Sequence, residues 1–480
     1  YFTAQIIGKG KDVSVSSADL KIIFTDTDGN IEGNDITPGW SNSKTFTVKN
    51  ESNGTYKYNI VIQDLVNTFV TKGYLQYKIT STNGGYNMAE FEDVPKSETA
   101  TDTILAYSAS IDVGVTQSYT VEFKYANDES VDQSEDMGKT LSGKLFITEG
   151  TEEPTLLSQI LADNPTRSTR DTYNEVFTNN TTGTLFTATE KNVHNTTDTT
   201  VYYYAGNTTN NWVKFAGYYW RIIRTNADGS VRLLYSGTSH DTIEGYLSTA
   251  TSKFNTPNNS PKYVGYMYGN DDSSLLNART NTNNSTIKTY IDNWYASNMT
   301  SYTKYLSTTA VYCNDRTEQT AGEYNTGSTA FHYAPYARVY ASYAPTYDCT
   351  ETSDAFSVDN TSAKLTYPIA LMTTDEVMRA GGKGGTSLTS PYAWYYLNSA
   401  NGSITGKTYW WLLSPYYWPG SGAGVFIVRG AGSPGSLFNM FAAYAGGVRP
   451  AISLKSCTKW ASGDGSSSNP YTIKESTAGC

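Results

Sequence analysis

The chain has 480 residues with 45 Asp and Glu against 35 Lys and Arg, a net charge of −10 and an isoelectric point near 5.0. That length suits two major domains better than one unusually large core, and the missing basic cluster argues against nucleic acid or an anionic membrane as partner. Forty tyrosines, abundant Thr, Ser, Asn and Gly and only 17% charged residues fit an extracellular β-rich protein better than a cytosolic enzyme. No apolar run approaches the ~18 residues that span a bilayer, so no direct membrane insertion is expected, and without a signal peptide the chain reads as mature.

From Tyr1 to about Gly150 apolar residues recur with period two, the mark of half-buried strands. Examples are Phe46 and Val48; Tyr56, Tyr58, Ile60 and Ile62; and Tyr119, Val121, Phe123 and Tyr125. Turn signals at Asp28-Gly29-Asn30, Thr37-Pro38-Gly39 and Asn83-Gly84-Gly85 separate the runs, so an antiparallel sandwich or jelly roll with little helix is expected. At the start, Phe2, Ala4 and Ile6 alternate with Thr3 and Gln5 ahead of Gly8-Lys9-Gly10-Lys11. A strand followed by a charged hinge can pair in its own domain or be donated to a neighbour, whose open groove it then covers. Asp26-Thr27-Asp28-Gly29-Asn30 has the opening spacing of a calcium loop but lacks the later Glu that an EF-hand requires. It reads as a β-turn, and no metal is expected.

Four segments of this region carry a family likeness: Ile36-Thr37-Pro38-Gly39-Trp40, Lys44-Thr45-Phe46-Thr47-Val48-Lys49-Asn50, Tyr58-Asn59-Ile60 and Met137-Gly138-Lys139-Thr140-Leu141-Ser142-Gly143-Lys144-Leu145. They resemble the proline-glycine turn and strands of the TasA and camelysin group, secreted fibre-forming proteins of Gram-positive biofilms. The resemblance implies a donor strand and hinge over residues 1–10, with Phe2, Ala4 and Ile6 as the donated positions. It also implies a jelly-roll polymerisation domain over residues 11–150, with identical subunits as partners in a homopolymer.

Residues 151–175 read as a linker with a short helix, in which Pro154 precedes Leu156, Leu157, Ile160 and Leu161 at helical spacing. Lys288 to Met299 and Asp375 to Ala380 are the other helix candidates, the latter stopping at Gly381-Gly382. Four cysteines fall into two local pairs, Cys313 with Cys349 and Cys457 with Cys480, read as two disulfides in an oxidising compartment. Other pairings and a zinc site compete with that reading, but no CxxC spacing occurs and His194, His240 and His332 lie far apart.

The stretch from Tyr409 to Lys455 interleaves large rings with glycines and almost no charge, so rings sit on a backbone that turns often, as binding surfaces do. It opens on Trp410-Trp411-Leu412-Leu413-Ser414-Pro415 and closes on Gly447-Val448-Arg449-Pro450-Ala451-Ile452-Ser453-Leu454. Upstream stand Val201-Tyr202-Tyr203-Tyr204-Ala205-Gly206-Asn207, Asn211-Trp212-Val213-Lys214-Phe215 and Tyr219-Trp220-Arg221-Ile222-Ile223-Arg224. Further along come Cys313-Asn314-Asp315-Arg316, Tyr367-Pro368-Ile369-Ala370-Leu371 and Thr374-Asp375-Glu376-Val377. In this order the motifs resemble C-type-lectin-like domains of Gram-positive surface proteins, the fold that also carries the variable region of proteins diversified by retroelements. The resemblance implies a display domain over residues 176–480 that binds a glycan or protein ligand. Trp410, Leu412 and the Val448 to Leu454 strand are expected in its core. Tyr416, Tyr417, Trp418, Phe426, Arg429, Phe438, Phe441 and Tyr444 lie between the two signatures and are the ligand-binding candidates.

No catalytic constellation emerges, so no enzyme activity and no cofactor are expected. Ser239-His240-Asp241 are chain neighbours, whereas a hydrolytic triad converges from separate elements. The segment from Tyr409 to Tyr444 contains no Asp or Glu, which weighs against glycosidase chemistry. The expected whole is a mainly β protein with some α+β: a secreted filament subunit, joined by donor-strand exchange, that displays a lectin-like domain for adhesion. A monomeric adhesin on a β-sandwich stalk is the alternative.

Overall fold

The computed structural model describes residues 2–8, 13–17, 20–27, 31–240, 246–247, 251–396, 409–430 and 432–480. The chain divides into two compact units, Tyr1–Glu153 and Pro154–Cys480, and is mainly β. The turn expected at residues 28–30 and the Lys9 to Lys11 part of the expected hinge lie outside the described residues.

The first unit has two sheets. Strands β1 (Phe2–Gly8), β4 (Ile31–Ile36), β6 (Tyr56–Asn67), β9 (Ser97–Ile111) and β11 (Thr140–Glu149) form one, in the order β4-β1-β11-β6-β9. Strands β2 (Val13–Ser17), β3 (Leu20–Asp26), β5 (Ser41–Asn50), β7 (Leu75–Ser81), β8 (Glu92–Asp93) and β10 (Thr116–Tyr125) form the other, in the order β2-β3-β5-β10-β7-β8. The period-two pattern becomes burial on one face: in β10 Tyr119, Val121, Phe123 and Tyr125 are all buried while residues between them are partly or fully exposed. Contacts between Tyr58 and Tyr119 and between Phe24 and Phe146 join the inner faces, with ring centroids 6.3 and 5.3 Å apart. At Thr37-Pro38-Gly39, Gly39 adopts φ +93° and Trp40 donates its N–H to the Thr37 carbonyl at 2.9 Å, a turn that a side chain at Gly39 would strain.

Among the described residues of the first unit, strand β1 is the exception to antiparallel pairing. It runs parallel to β11, from Thr3 opposite Thr140 to Gly8 opposite Leu145, and antiparallel to β4. The expected donor positions Phe2, Ala4 and Ile6 stand opposite Ile36, Gly33 and Ile31 of β4. In the single chain this strand occupies its own sheet.

The second unit begins at the expected connector, whose helix α1 (Leu156–Asp163) is capped by the Thr155 hydroxyl, which accepts from the Ser158 N–H. Leu156 and Ile160 are buried in this unit's core, because the apolar residues share one helix face, and Leu156 N–H bonds the Thr458 carbonyl. The helix is therefore part of this unit's packing. Its main sheet comprises β12 (Thr166–Ser168), β13 (Thr184–Glu190), β14 (Thr199–Tyr203), β15 (Trp212–Phe215), β16 (Tyr218–Thr225) and β17 (Val231–Tyr235). Strands β19 (Ala370–Leu371) and β23 (Pro450–Leu454) complete it; the order is β12-β13-β14-β16-β17-β23-β19, with β15 also on β16.

A second, four-stranded sheet runs β18 (Phe331–His332), β20 (Tyr409–Trp418), β21 (Gly424–Arg429), β22 (Leu437–Phe441). Helices α2 (Thr286–Asn298) and α4 (Thr374–Ala380) fall where their apolar spacing and caps predict. A short helical turn, α3 (Ala334–Ala337), follows β18. Both expected disulfides are present, Cys313 to Cys349 and Cys457 to Cys480. Among the described residues no helix is long and apolar enough to cross a membrane.

Candidate functional site

The four-stranded sheet brings rings from separate parts of the chain into one row. His332 pairs with Tyr417 across β18 and β20, Tyr417 with Gly424 across β20 and β21, and Gly424 with Phe441 across β21 and β22. Tyr336 stacks on His332 with centroids 3.7 Å apart, His332 on Tyr417 at 5.8 Å, Tyr417 on Phe441 at 6.3 Å and Phe441 on Tyr444 at 6.2 Å, all within 28° of parallel. Gly424 makes the row continuous. A Cβ there would stand 2.3 Å from the Tyr417 ring, so only glycine lets Tyr417 lean across the middle strand to Phe441, as an aromatic neighbour does at a strand glycine.

These rings are half-buried, and Tyr444 at the end is 57% exposed. Tyr416 packs on Tyr336, Tyr340 and Phe426 at 5.1, 6.0 and 4.7 Å, and Arg429 lies 3.8 Å over the Phe438 ring. Burial lowers the His332 pKa, against a smaller opposing effect of Glu323, so the imidazole in the row is neutral at pH 7. The surface is thus aromatic, rich in phenol hydroxyls and nearly uncharged, the make-up that gives contact area at small entropic cost.

Six of the eight ligand-binding candidates, Tyr416, Tyr417, Arg429, Phe438, Phe441 and Tyr444, keep accessible surface. Trp418 and Phe426 do not and are corrected to core positions, 2% and 0% exposed. Trp418 follows Tyr417 in a strand, so it points to the opposite face, where its indole N–H bonds the Gly327 carbonyl at 2.8 Å. Phe426 sits on the central strand beneath Tyr416 and Tyr340. His332, Tyr336 and Tyr340 were not among the candidates, although the His332-Tyr333-Ala334-Pro335-Tyr336 run places two rings four residues apart at a helix start, a legible signal. Trp410, Leu412, Val448, Ile452 and Leu454 are buried as expected.

A second concentration of chemistry lies inside the unit. Glu376 Oε1 accepts from Arg224 Nε at 3.1 Å and Arg232 Nη1 at 2.5 Å, and Arg224 Nη1 also reaches Glu190 at 2.8 Å. Arg338 joins Asp375 and Asp315 at 2.7 and 2.9 Å. Glu376 closes the capping box of α4 with Thr373. Burial acts to raise the Glu376 pKa, but Arg232 and Arg224 outweigh it and hold the carboxyl below its ordinary value. A cavity of about 20 Å³ among Arg224, Arg232, Tyr347, Asp375 and Glu376 has the size of one water. Each of these Arg and carboxylate groups is ion-paired, so the network anchors α4 to the sheet.

His194 Nε2 lies 2.8 Å from the buried Ser357 hydroxyl, His240 packs against Trp212 and Tyr219, and Asp241 lies outside the described residues. Among the described residues no group of three His, Cys, Asp or Glu side chains could hold a metal ion. No family model, curated protein or solved structure matches the chain.

Proposed function

We propose that this protein is a secreted filament subunit, built from a jelly-roll polymerisation domain and a C-type-lectin-like display domain, that binds a glycan or protein ligand and does no catalysis. The observation that carries the polymer reading is the topology of β1. Neither sheet neighbour is joined to it by a hairpin: β11 is the last strand of the unit and parallel to it, and β2 and β3 intervene before β4. A strand held by ladders alone can be replaced by the same strand of another subunit without breaking any turn. Its removal would expose the edges of β4 and β11, and refilling that slot from a second copy restores every backbone hydrogen bond. The aromatic row supports the display reading, since it offers ring faces and phenol hydroxyls with no carboxylate of its own.

A monomeric adhesin on a β-sandwich stalk is the second reading, favoured by the pairing of β1 within its own chain. Negative-stain microscopy of the chain beside a version lacking residues 1–10 tests the choice. Fibres that vanish on truncation support strand exchange. Monodisperse particles in both samples overturn the filament and leave the adhesin.

A further inference from the structure

Four buried arginines lie on or beside the main sheet in the second unit, of which only two are neutralised. Arg221 stands opposite Leu234 and Arg224 opposite Arg232 across β16 and β17, and Leu234 stands opposite Ala451 of β23. Because a strand alternates its faces, Arg232 falls on the side of Leu234 with Arg221; Ser236 directly follows β17, and Arg449, one residue before β23, is close enough to act electrostatically on Arg221. Arg224 and Arg232 have Glu190 and Glu376. Arg221 and Arg449 have no carboxylate partner among the described residues, although they are 2% and 0% exposed.

Their hydrogen bonds go to neutral acceptors. Arg221 donates Nε to Asn211 Oδ1 at 2.7 Å and Nη2 to the Thr208 carbonyl at 2.9 Å. Arg449 donates Nε to the Tyr235 carbonyl at 2.8 Å and Nη1 to the Tyr395 carbonyl at 2.7 Å. Arg221 lies 4.2 Å over Trp212 and Arg449 4.9 Å over Trp410. Ring faces attract a cation without cancelling its charge. Burial pushes both guanidiniums down to about 9, and Arg449 acts on Arg221 in the same direction.

Three buried polar groups in this region have no hydrogen-bond partner: Arg449 Nη2, the Tyr246 hydroxyl and Ser236 Oγ. Tyr246 packs its ring on Gly447, where a Cβ would come within 2.6 Å of it, and Arg449 acts electrostatically on its phenol. Ser236 follows Tyr235, whose carbonyl holds Arg449 Nε. Buried polar groups in native proteins are nearly always satisfied, and buried charges are paired. The Nη2 amino group of Arg449 and the two hydroxyls are thus buried donors without an acceptor among the described residues, beside a guanidinium that has no carboxylate to neutralise it.

We propose that Arg449, Tyr246 and Ser236 form a buried site for a small oxyanion of the carboxylate class, with Arg221 supplying the second positive charge. A carboxylate has about four lone-pair sites on two oxygens, enough to accept from Nη2 and both hydroxyls and to face the two cations. The Gly447-Val448-Arg449-Pro450 signature then has a role beyond packing: it brings Arg449 against Tyr246 through a glycine on which the ring can rest. The site does not involve the aromatic row and does not depend on the adhesive reading.

Thermal unfolding of the full chain, with formate replacing chloride at constant ionic strength, tests the site. A ligand that binds only the folded state raises the midpoint in a saturable way, here by about 2–5 °C at a hundredfold excess over its dissociation constant. Tyr246→Phe and Ser236→Ala keep both charges and should each raise the half-saturating formate concentration about tenfold, the worth of a hydrogen bond to an ionised group. Arg449→Gln should abolish the response, and should that variant fail to fold, the two hydroxyl variants still decide. No rise with formate, or a rise equal in both hydroxyl variants and the parent chain, overturns the site.

Discussion

Replacing Glu376 by Gln is the sharpest test of the buried ionic network. Glu376 is the carboxylate partner of Arg232 and the second partner of Arg224, which keeps Glu190 at 2.8 Å. In the variant the amide oxygen can accept from one arginine, but the amide N–H groups face the Thr373 N–H that Glu376 Oε2 now accepts at 3.1 Å. Arg232 is left buried without a counter-charge, and breaking a buried pair in this way costs about 3–5 kcal/mol. At about 2 °C per kcal/mol for a domain of this size, the second unit should melt roughly 6–10 °C lower, followed by near-ultraviolet circular dichroism. Glu190→Gln should cost less, because Arg224 retains Glu376. The carboxyl of Glu376 is held below its ordinary value in the folded state, so its stabilisation is complete above the unfolded value of about 4.3 and is lost as pH falls through the folded one. The gap between parent and variant should therefore stay constant from about pH 8 to pH 5.5 and close at lower pH. A loss under about 1 kcal/mol at pH 7, or a gap that widens on acidification, would refute the assignment.

Phe426→Ala should destabilise the second unit by about 3–5 kcal/mol in urea melts, since the ring is fully buried, whereas Tyr444→Ala should change stability by under about 0.5 kcal/mol. If the aromatic row is the contact surface, Tyr444→Ala and Phe441→Ala should weaken capture on a glycan or protein array by tenfold or more, as central aromatic anchors do. Ile6→Pro, which faces both Gly143 and Ile31, removes a ladder N–H in the middle of a sheet and should abolish fibres in the electron microscope. Replacing Cys313 and Cys349 together by Ser opens a 36-residue loop and should lower the urea midpoint by the equivalent of about 4 kcal/mol on the chain-entropy account. His332 has a lowered folded-state pKa, so the stability tied to its neutral form is in place above about pH 6.5 and falls on acidification. His332→Phe should flatten that part of the melting profile.

The features legible in the chain were those governed by near neighbours. Alternation in β5 and β10 put Phe46, Val48, Tyr119 and Val121 inside because strand geometry sends successive side chains to opposite faces whatever the partner strand. The apolar spacing before Gly381, which adopts φ +126°, and the spacing of Leu156 and Ile160 marked helices for equally local reasons. The local cysteine pairs were right because short loops bring their ends together at small entropic cost. What the tertiary structure decided was which distant segments meet. The same alternation that separates Tyr417 from Trp418 does not say which of them faces out until Phe331 and His332, more than eighty residues earlier, pair beside them. Likewise β1 carries a strand pattern but no mark of whether its neighbour is β11, β4 or another copy, and nothing near Arg224, Arg232, Arg221 or Arg449 in the chain reveals which of the four finds a carboxylate. Cross-strand partners are chosen by sheet order, a property of the whole fold, and it is there that the aromatic row and the unpaired arginines arise.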